Sequence, residues 1–176
     1  DRIFGCEVFF QDGQWYNRYL KNEVGQLKKP DLEKNETWAL AKRIAYAFLD
    51  LKITAPLFET PVIASPLNIA VNLYGEEILV AMLMEPEAAH HDLQIINEVL
   101  MELHQWYRAH IPAQQLQPVI ACGRCQPPGH GQICGCTSQL LSPGLYEEFI
   151  MPLDDALLGV YPHGGMIHLC GSHTQL

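Results

Sequence analysis

The chain has 176 residues, of which 48% are hydrophobic, and a formal net charge of -9. This length fits one domain or part of one. The negative charge argues against nucleic acid or an anionic membrane as the main partner, because both require a basic surface. No stretch reaches the roughly 18 uncharged apolar residues of a transmembrane helix, so none is expected.

The cysteines point to a reducing compartment. The chain is too large and too apolar for a disulfide scaffold, and its first residues do not resemble a signal peptide. The missing initial Met suggests a piece of a longer chain. We therefore expect a cytoplasmic protein whose thiols are reduced. Metal binding is the more specific role that these thiols could have. The six cysteines are Cys6, Cys122, Cys125, Cys134, Cys136 and Cys170.

Residues 1–54 are predicted to be a peripheral segment packed on the main body. Cys6 to Phe10 indicates a strand or an extended arm, and Asp12-Gly13 is a turn signal. Trp15 to Leu20 suggests the start of a short helix. The aromatic residues of this segment either pack onto the body or line a ligand pocket.

A strand, turn and helix unit follows. Val62 to Ala64 is a short apolar strand, Ser65-Pro66 can cap a helix, and Gly75 can end it. Such a unit is typical of a parallel α/β fold. Asn68 and Asn72 lie four positions apart on one helix face, where they either bind a polar ligand at the strand end or act as capping or surface amides.

Helical spacing of apolar residues predicts further helices, and Pro86 marks the break between two of them. Ser142 followed by Pro143 predicts the start of the last helix. A short strand is predicted at 117–121. The predicted further helices cover residues 36–52, 76–84, 87–109 and 142–158.

Two cysteine pairs follow the 117–121 strand. Cys122 and Cys125 form a CxxC pair, and Cys134 and Cys136 form a CxC pair. Together they suit a four-cysteine zinc or iron–sulfur site. Alternatively, Cys134 and Cys136 lie on one face of a strand. The Pro- and Gly-rich stretch 126–132 is predicted to be a lid or pocket rim.

The most informative stretch is Met166 to Cys170, a short apolar run bounded by glycines. It predicts a buried strand whose residues His168 and Cys170 face the same side. In β/α folds chemistry collects at the carboxyl ends of strands, and an imidazole and a thiolate are good zinc ligands. The alternative is a core histidine beside a buried free cysteine. A zinc site also needs a third ligand from elsewhere.

These segments together carry a family resemblance. The stretch Ser142 to Pro152, the following helix and Gly165 to Gly171 resemble the uroporphyrinogen decarboxylase superfamily, as do Pro61 to Ala70 and Glu85 to Glu87. The resemblance covers about residues 55–176. It implies an α/β fold, here a partial (β/α) TIM-barrel-like domain spanning residues 1–176 with about three to five strands, since a full barrel takes about 250 residues.

The resemblance also implies two activities. One branch of the superfamily decarboxylates uroporphyrinogen without metal. The other comprises cobalamin-dependent methyltransferases whose zinc is held by His-x-Cys and a later cysteine; His168 and Cys170 match that motif. The active-site tyrosine of the decarboxylase branch falls at Asn72 and its serine at Cys136, which makes both catalytic candidates.

The departures from the decarboxylase pattern favour the other branch. The chain lacks that branch's Arg-rich motif and catalytic Asp. Among its arginines, Arg124 alone falls in a predicted pocket loop, so Asn68 and Arg124 are the substrate-binding candidates.

We therefore expect zinc-thiolate methyl transfer linked to a corrinoid protein. The alternatives are tetrapyrrole decarboxylation and a non-catalytic tetrapyrrole- or corrinoid-binding module. A partial barrel has an exposed edge, which suggests a homodimer or further residues that cover it.

Overall fold

The computed structural model describes residues 1–51, 64–113, 115–116, 119–120, 124–125 and 129–169. At 119–120 and 124–125 it describes the backbone alone. The predicted strand at Val62–Ile63, the CxxC residue Cys122 and the metal candidate Cys170 therefore lie outside the described residues.

The N-terminal segment is a hairpin and not a strand followed by a helix. Strand β1 (Val8–Gln11) pairs antiparallel with β2 (Gln14–Asn17). Asp12 and Gly13 close the turn at φ values of 50° and 81°, the positive angles that a two-residue hairpin turn requires. The helix expected to start at Trp15 is wrong, because cross-strand pairing of the aromatic side chains overrides their local spacing.

Helix α1 (Glu36–Asp50) begins where its cap predicts. The Asn35 side chain accepts a hydrogen bond from the backbone N–H of Trp38 at 3.0 Å. Trp38 is buried and lies edge-on against Tyr107, at 5.7 Å between ring centroids. Helix α1 therefore packs against the carboxyl-terminal part of the longest helix.

Three consecutive helices form the centre of the chain. The Ser65 hydroxyl caps the first of them, and Gly75 ends it at a φ of 65°. Pro86, which has no N–H to donate, starts the longest one. All three occur where the sequence predicts them, as α2 (Pro66–Tyr74), α3 (Glu77–Met84) and α4 (Pro86–His110).

Three chain segments meet in a parallel arrangement that positions the site. Strand β5 (Gly131–Cys134) pairs in parallel with β6 (Gly165–His168), and Ala64 forms a parallel bridge to Cys134. The short strands β3 (Val119–Ile120) and β4 (Arg124–Cys125) pair antiparallel with each other. Gly131 and Gln132, the last residues of the stretch predicted to be a lid or pocket rim, belong to β5 because they pair with β6.

The last helical stretch is interrupted. Helix α5 (Pro143–Leu145) leads into a wide π-type turn (Tyr146–Ile150) and then into α6 (Met151–Leu158). Pro152 has no N–H to donate to the preceding turn, which explains the widened turn in the expected continuous helix.

The main hydrophobic core lies between the helices and one face of the β5–β6 pair. Ile133 is 1% exposed and packs there with side chains from α2, α4 and α6. The described residues therefore form a mixed α/β fold, and a closed barrel is not formed within them. Among these residues no single helix is long and apolar enough to cross a membrane; only the α2–α3 pair, bent by 108°, matches in length and composition.

Candidate functional site at the strand ends

The carboxyl ends of three parallel segments meet in one row. Ala64 is the register partner of Cys134, and Cys134 is the register partner of His168. The N–H of Ser65 donates to the carbonyl of Cys134 at 2.9 Å, and the N–H of Gly135 donates to the carbonyl of His168 at 2.9 Å. Because register partners on parallel strands point to the same side, Cys134 and His168 share one face.

A pair of thiols lies at this edge. Cys134 ends β5, and Cys136 begins the short 3-10 turn Cys136–Leu140. Their Sγ atoms are 3.2 Å apart and both residues are half-buried. The Cys136 Sγ also lies 3.8 Å from the carbonyl oxygen of His168. The CxC spacing thus brings two sulfur atoms together beside the end of β6.

Asn68 connects α2 to this turn. Its Oδ1 accepts a hydrogen bond from the N–H of Thr137 at 3.1 Å, and its Nδ2 lies 3.8 Å from the Sγ of Cys134. The Ser65 cap places Asn68 in the first turn of α2, directly above the strand end. The predicted substrate-binding residue therefore lies at the site, where its amide contacts both the turn and a thiol.

The surroundings of Cys134 favour its protonated form. Burial raises the pKa of the Cys134 thiol, and the hydrogen bond shared with Cys136 raises it further, while the Asn68 amide acts in the opposite direction. A nearby cation would reverse this preference, because it stabilises the thiolate.

The other predicted site residues are distributed differently. Asn72 is exposed; its Nδ2 lies 3.3 Å from both carboxylate oxygens of Asp1, and its backbone carbonyl accepts a hydrogen bond from the Asn17 amide. Arg124 belongs to β4, and its side chain is outside the described atoms. Asn72 is therefore held by the N-terminal segment and not by the cysteine turn.

Of the two predicted zinc ligands, His168 belongs to the described residues and Cys170 does not. Within residues 1–51, 64–113 and 129–169 and the short pieces between them, no three His, Cys, Asp or Glu side chains converge closely enough to hold a metal ion. Two thiols next to a histidine strand are nevertheless the donor types that zinc prefers. The donor chemistry fits zinc, and His168 with Cys170 stays a prediction.

Cys134 was predicted as part of a four-cysteine site and not as a neighbour of His168. Its signal was the CxC spacing, which on a strand places both cysteines on one face. The pairing with His168 depends on the parallel register of β5 and β6, which no local pattern encodes.

Comparison with known proteins gives one informative similarity. No family model matches the chain, and no curated protein matches it significantly. A solved structure described as a methyltransferase from Methanosarcina mazei superposes with a TM-score of 0.67 at 15% sequence identity. The match covers 97% of this chain and 48% of that protein, so the chain spans about half the length of the methyltransferase whose fold it shares.

Proposed function

We propose that the chain belongs to a zinc-dependent methyltransferase that works with a corrinoid protein. The observation that carries the proposal is the row formed by Cys134 and His168 at the carboxyl ends of parallel strands. Its support is the fold shared with a methyltransferase at a TM-score of 0.67. The parallel segments would then be part of a (β/α) barrel, whose reactive groups lie at this end.

The chain's own residues have separable roles in this proposal. His168 and Cys170 would hold the zinc ion, and His168 ends strand β6. Bound zinc supplies positive charge that keeps a thiol ionised at neutral pH, which makes it a nucleophile for a methyl group. Asn68 orients the neighbouring turn, which contains the catalytic candidate Cys136, through its hydrogen bond with Thr137.

Metal analysis and a methyl-transfer assay test this function. We expect the full chain to copurify with zinc, and the His168→Ala, Cys170→Ser variant to contain one equivalent less, because both ligands of this ion are gone. We also expect the wild type to transfer the methyl group of methylcobalamin to a small thiol, and the variant to lose that activity. The change in visible corrinoid absorbance measures the reaction.

Two controls make the result specific. His110→Ala removes an exposed histidine at the end of α4, and Cys6→Ser removes a buried thiol outside the strand ends; both variants should retain zinc and activity. A His168→Ala, Cys170→Ser variant with the same zinc content as the wild type would contradict the proposal. Turnover of uroporphyrinogen by zinc-free protein would instead support the decarboxylase alternative, and corrinoid binding without turnover would support a binding module.

A further inference from the structure

The CxC turn is held in place by backbone and side-chain hydrogen bonds before any ligand binds. The Gly135 carbonyl accepts hydrogen bonds from the Ser138 hydroxyl at 2.6 Å and from the Ser138 N–H at 3.0 Å. The Gly135 N–H donates to β6, and the Thr137 N–H donates to Asn68. Cys134 therefore ends a paired strand, and Cys136 begins a turn that these hydrogen bonds hold in place.

Close packing explains why glycine separates the two cysteines. A Cβ at Gly135 would lie 2.7 Å from the Cγ2 of Ile167, which is closer than carbon atoms approach in proteins. Glycine thus lets the turn rest directly on β6.

The separation of the two thiols can be compared with the geometry of a metal site and with that of a disulfide. Two sulfur ligands on a tetrahedral ion, each at about 2.3 Å, lie about 3.8 Å apart. Two sulfur atoms in a disulfide lie about 2.05 Å apart. The observed distance of 3.2 Å between the sulfur atoms must increase by about 0.6 Å to match the metal-bound pair. It must decrease by about 1.2 Å to match the disulfide. The resting geometry is nearer to that of a bidentate metal ligand.

We propose that Cys134 and Cys136 form a bidentate thiolate site for a thiophilic divalent cation such as Zn²⁺ or Cd²⁺. Each thiol loses its proton to solvent when its sulfur binds, so that two S–H bonds are replaced by two sulfur–metal bonds without any oxidant. The remaining positions on the ion are open to water or to a small thiol ligand. The inference goes beyond the proposed function, because it holds whether or not the chain transfers methyl groups.

Cadmium binding to a reduced chain tests the site directly. In a Cys122→Ser, Cys125→Ser, Cys170→Ser variant, the remaining thiols are Cys6, Cys134 and Cys136. Titration of Cd²⁺ into this variant should give a sulfur-to-cadmium ultraviolet absorption band that saturates at one equivalent. Adding Cys134→Ser or Cys136→Ser should weaken binding by at least the roughly 10- to 100-fold seen when even a supporting partner of a metal ligand is lost.

The matched control removes the third remaining thiol. Cys6 is 5% exposed in the hydrophobic core, so Cys6→Ser should leave the cadmium band unchanged. A band that is absent from the three-serine variant, or that survives loss of Cys134 and Cys136, would overturn the inference. Since Cys170 is absent from this variant, its result does not depend on the zinc site of the proposed function.

Protection from alkylation provides a second readout in the unaltered chain. Saturating Cd²⁺ should shield Cys134 and Cys136 from iodoacetamide, as measured on their peptide by mass spectrometry. Gly135→Ala should reduce that protection, because the added methyl group displaces the turn from Ile167. Gly144→Ala is the matched control, because a Cβ there meets no atom within 4 Å. Full alkylation of both cysteines at saturating cadmium would contradict the site.

Discussion

Two aspartates at equal depth have opposite surroundings. Asp92 in α4 is 0% exposed, and Asp154 in α6 is 3% exposed. The carboxyl group of Asp92 accepts hydrogen bonds from the N–H groups of Gly25 and Leu27, at 2.8 and 3.1 Å, and from the hydroxyl of Tyr74 at 2.6 Å. The carboxyl group of Asp154 accepts one, from the hydroxyl of Tyr146 at 3.3 Å, and its Oδ1 has no hydrogen-bond partner among the described residues.

The difference shows that burial alone does not decide what a carboxyl group contributes. Asp92 replaces the water it loses with protein donors and ties the loop before α1 to the middle of the fold. Asp154 recovers little of its hydration, so burial raises its pKa to about 7. The first aspartate is a structural anchor, and the second costs stability whenever it is ionised.

Removal of the Asp92 carboxyl group should have the largest effect. Asp92→Ala leaves two backbone N–H groups and the Tyr74 hydroxyl without their acceptor, and each buried donor left unsatisfied costs about 1–3 kcal/mol. We expect the free energy of unfolding to fall by about 4 kcal/mol, measured by urea denaturation followed by circular dichroism.

An exposed carboxylate on the same helix provides the control. Glu87 lies in the first turn of α4 and is exposed, so Glu87→Ala should lose less than about 1 kcal/mol through the helix dipole. If Asp92→Ala were as mild as Glu87→Ala, the hydrogen bonds to the loop would not stabilise the fold.

Neutralising Asp154 should stabilise the protein increasingly as the pH rises above about 4. The pKa of Asp154 rises from 3.8 to about 7 on folding, so between these values the folded state holds a proton that the unfolded state has released. Stability therefore falls as pH rises through this window, by at most about 4 kcal/mol at 1.36 kcal/mol per pKa unit. Asp154→Asn should gain about 2–4 kcal/mol at pH 8 and almost nothing at pH 4.

The adjacent aspartate separates this effect from a general charge effect. Asp155 is exposed in the same helix, and Asp155→Asn removes the same charge from the same chain. Its urea denaturation midpoint should differ little from that of the wild type at either pH 4 or pH 8, because exposed charges interact weakly. An Asp154→Asn variant that was no more stable than wild type at pH 8 would show that the buried carboxyl group finds compensation on ionisation.

Local signals predicted most of the helices. The residues that begin and end these helices act within one turn of their own position, so the local sequence contains the physical cause of each helix boundary. They are the caps Asn35 and Ser65, the terminating Gly75 and the initiating Pro86. The hairpin at Asp12-Gly13 was predicted as a turn but not as a strand pair, because pairing depends on residues across the turn.

The site was predictable in its residue types but not in its partners. His168 and the CxC pair were recognisable from spacing, since two residues apart on a strand share a face. The sequence did not predict that Cys134 lies next to His168. The two residues are 34 positions apart, and only the parallel register of β5 and β6 brings them together. The contrast between Asp92 and Asp154 was equally hidden, since both occupy apolar helix faces and differ in what the rest of the chain donates to them.

The loop that Asp92 holds allows a test with the smallest expected effect. Substitutions in this loop change its contact with α4 and leave the Asp92 carboxyl group intact. Gly25 has a φ of 91°, and a Cβ there would lie 2.7 Å from the Cβ of Ala88; Gly13 has a φ of 81° and meets no atom within 4 Å. Both Gly→Ala variants pay the strain of a left-handed backbone, about 1–2 kcal/mol.

Only Gly25→Ala also pushes its loop away from α4. Because overpacking costs about 1–3 kcal/mol, the free energy of unfolding should fall by about 1–2 kcal/mol more in Gly25→Ala than in Gly13→Ala. Urea denaturation of the two variants in parallel measures this difference, which isolates the close approach that lets Asp92 reach the Gly25 N–H at 2.8 Å. Equal losses would mean that the loop shifts freely and that Asp92 holds it without depending on that contact.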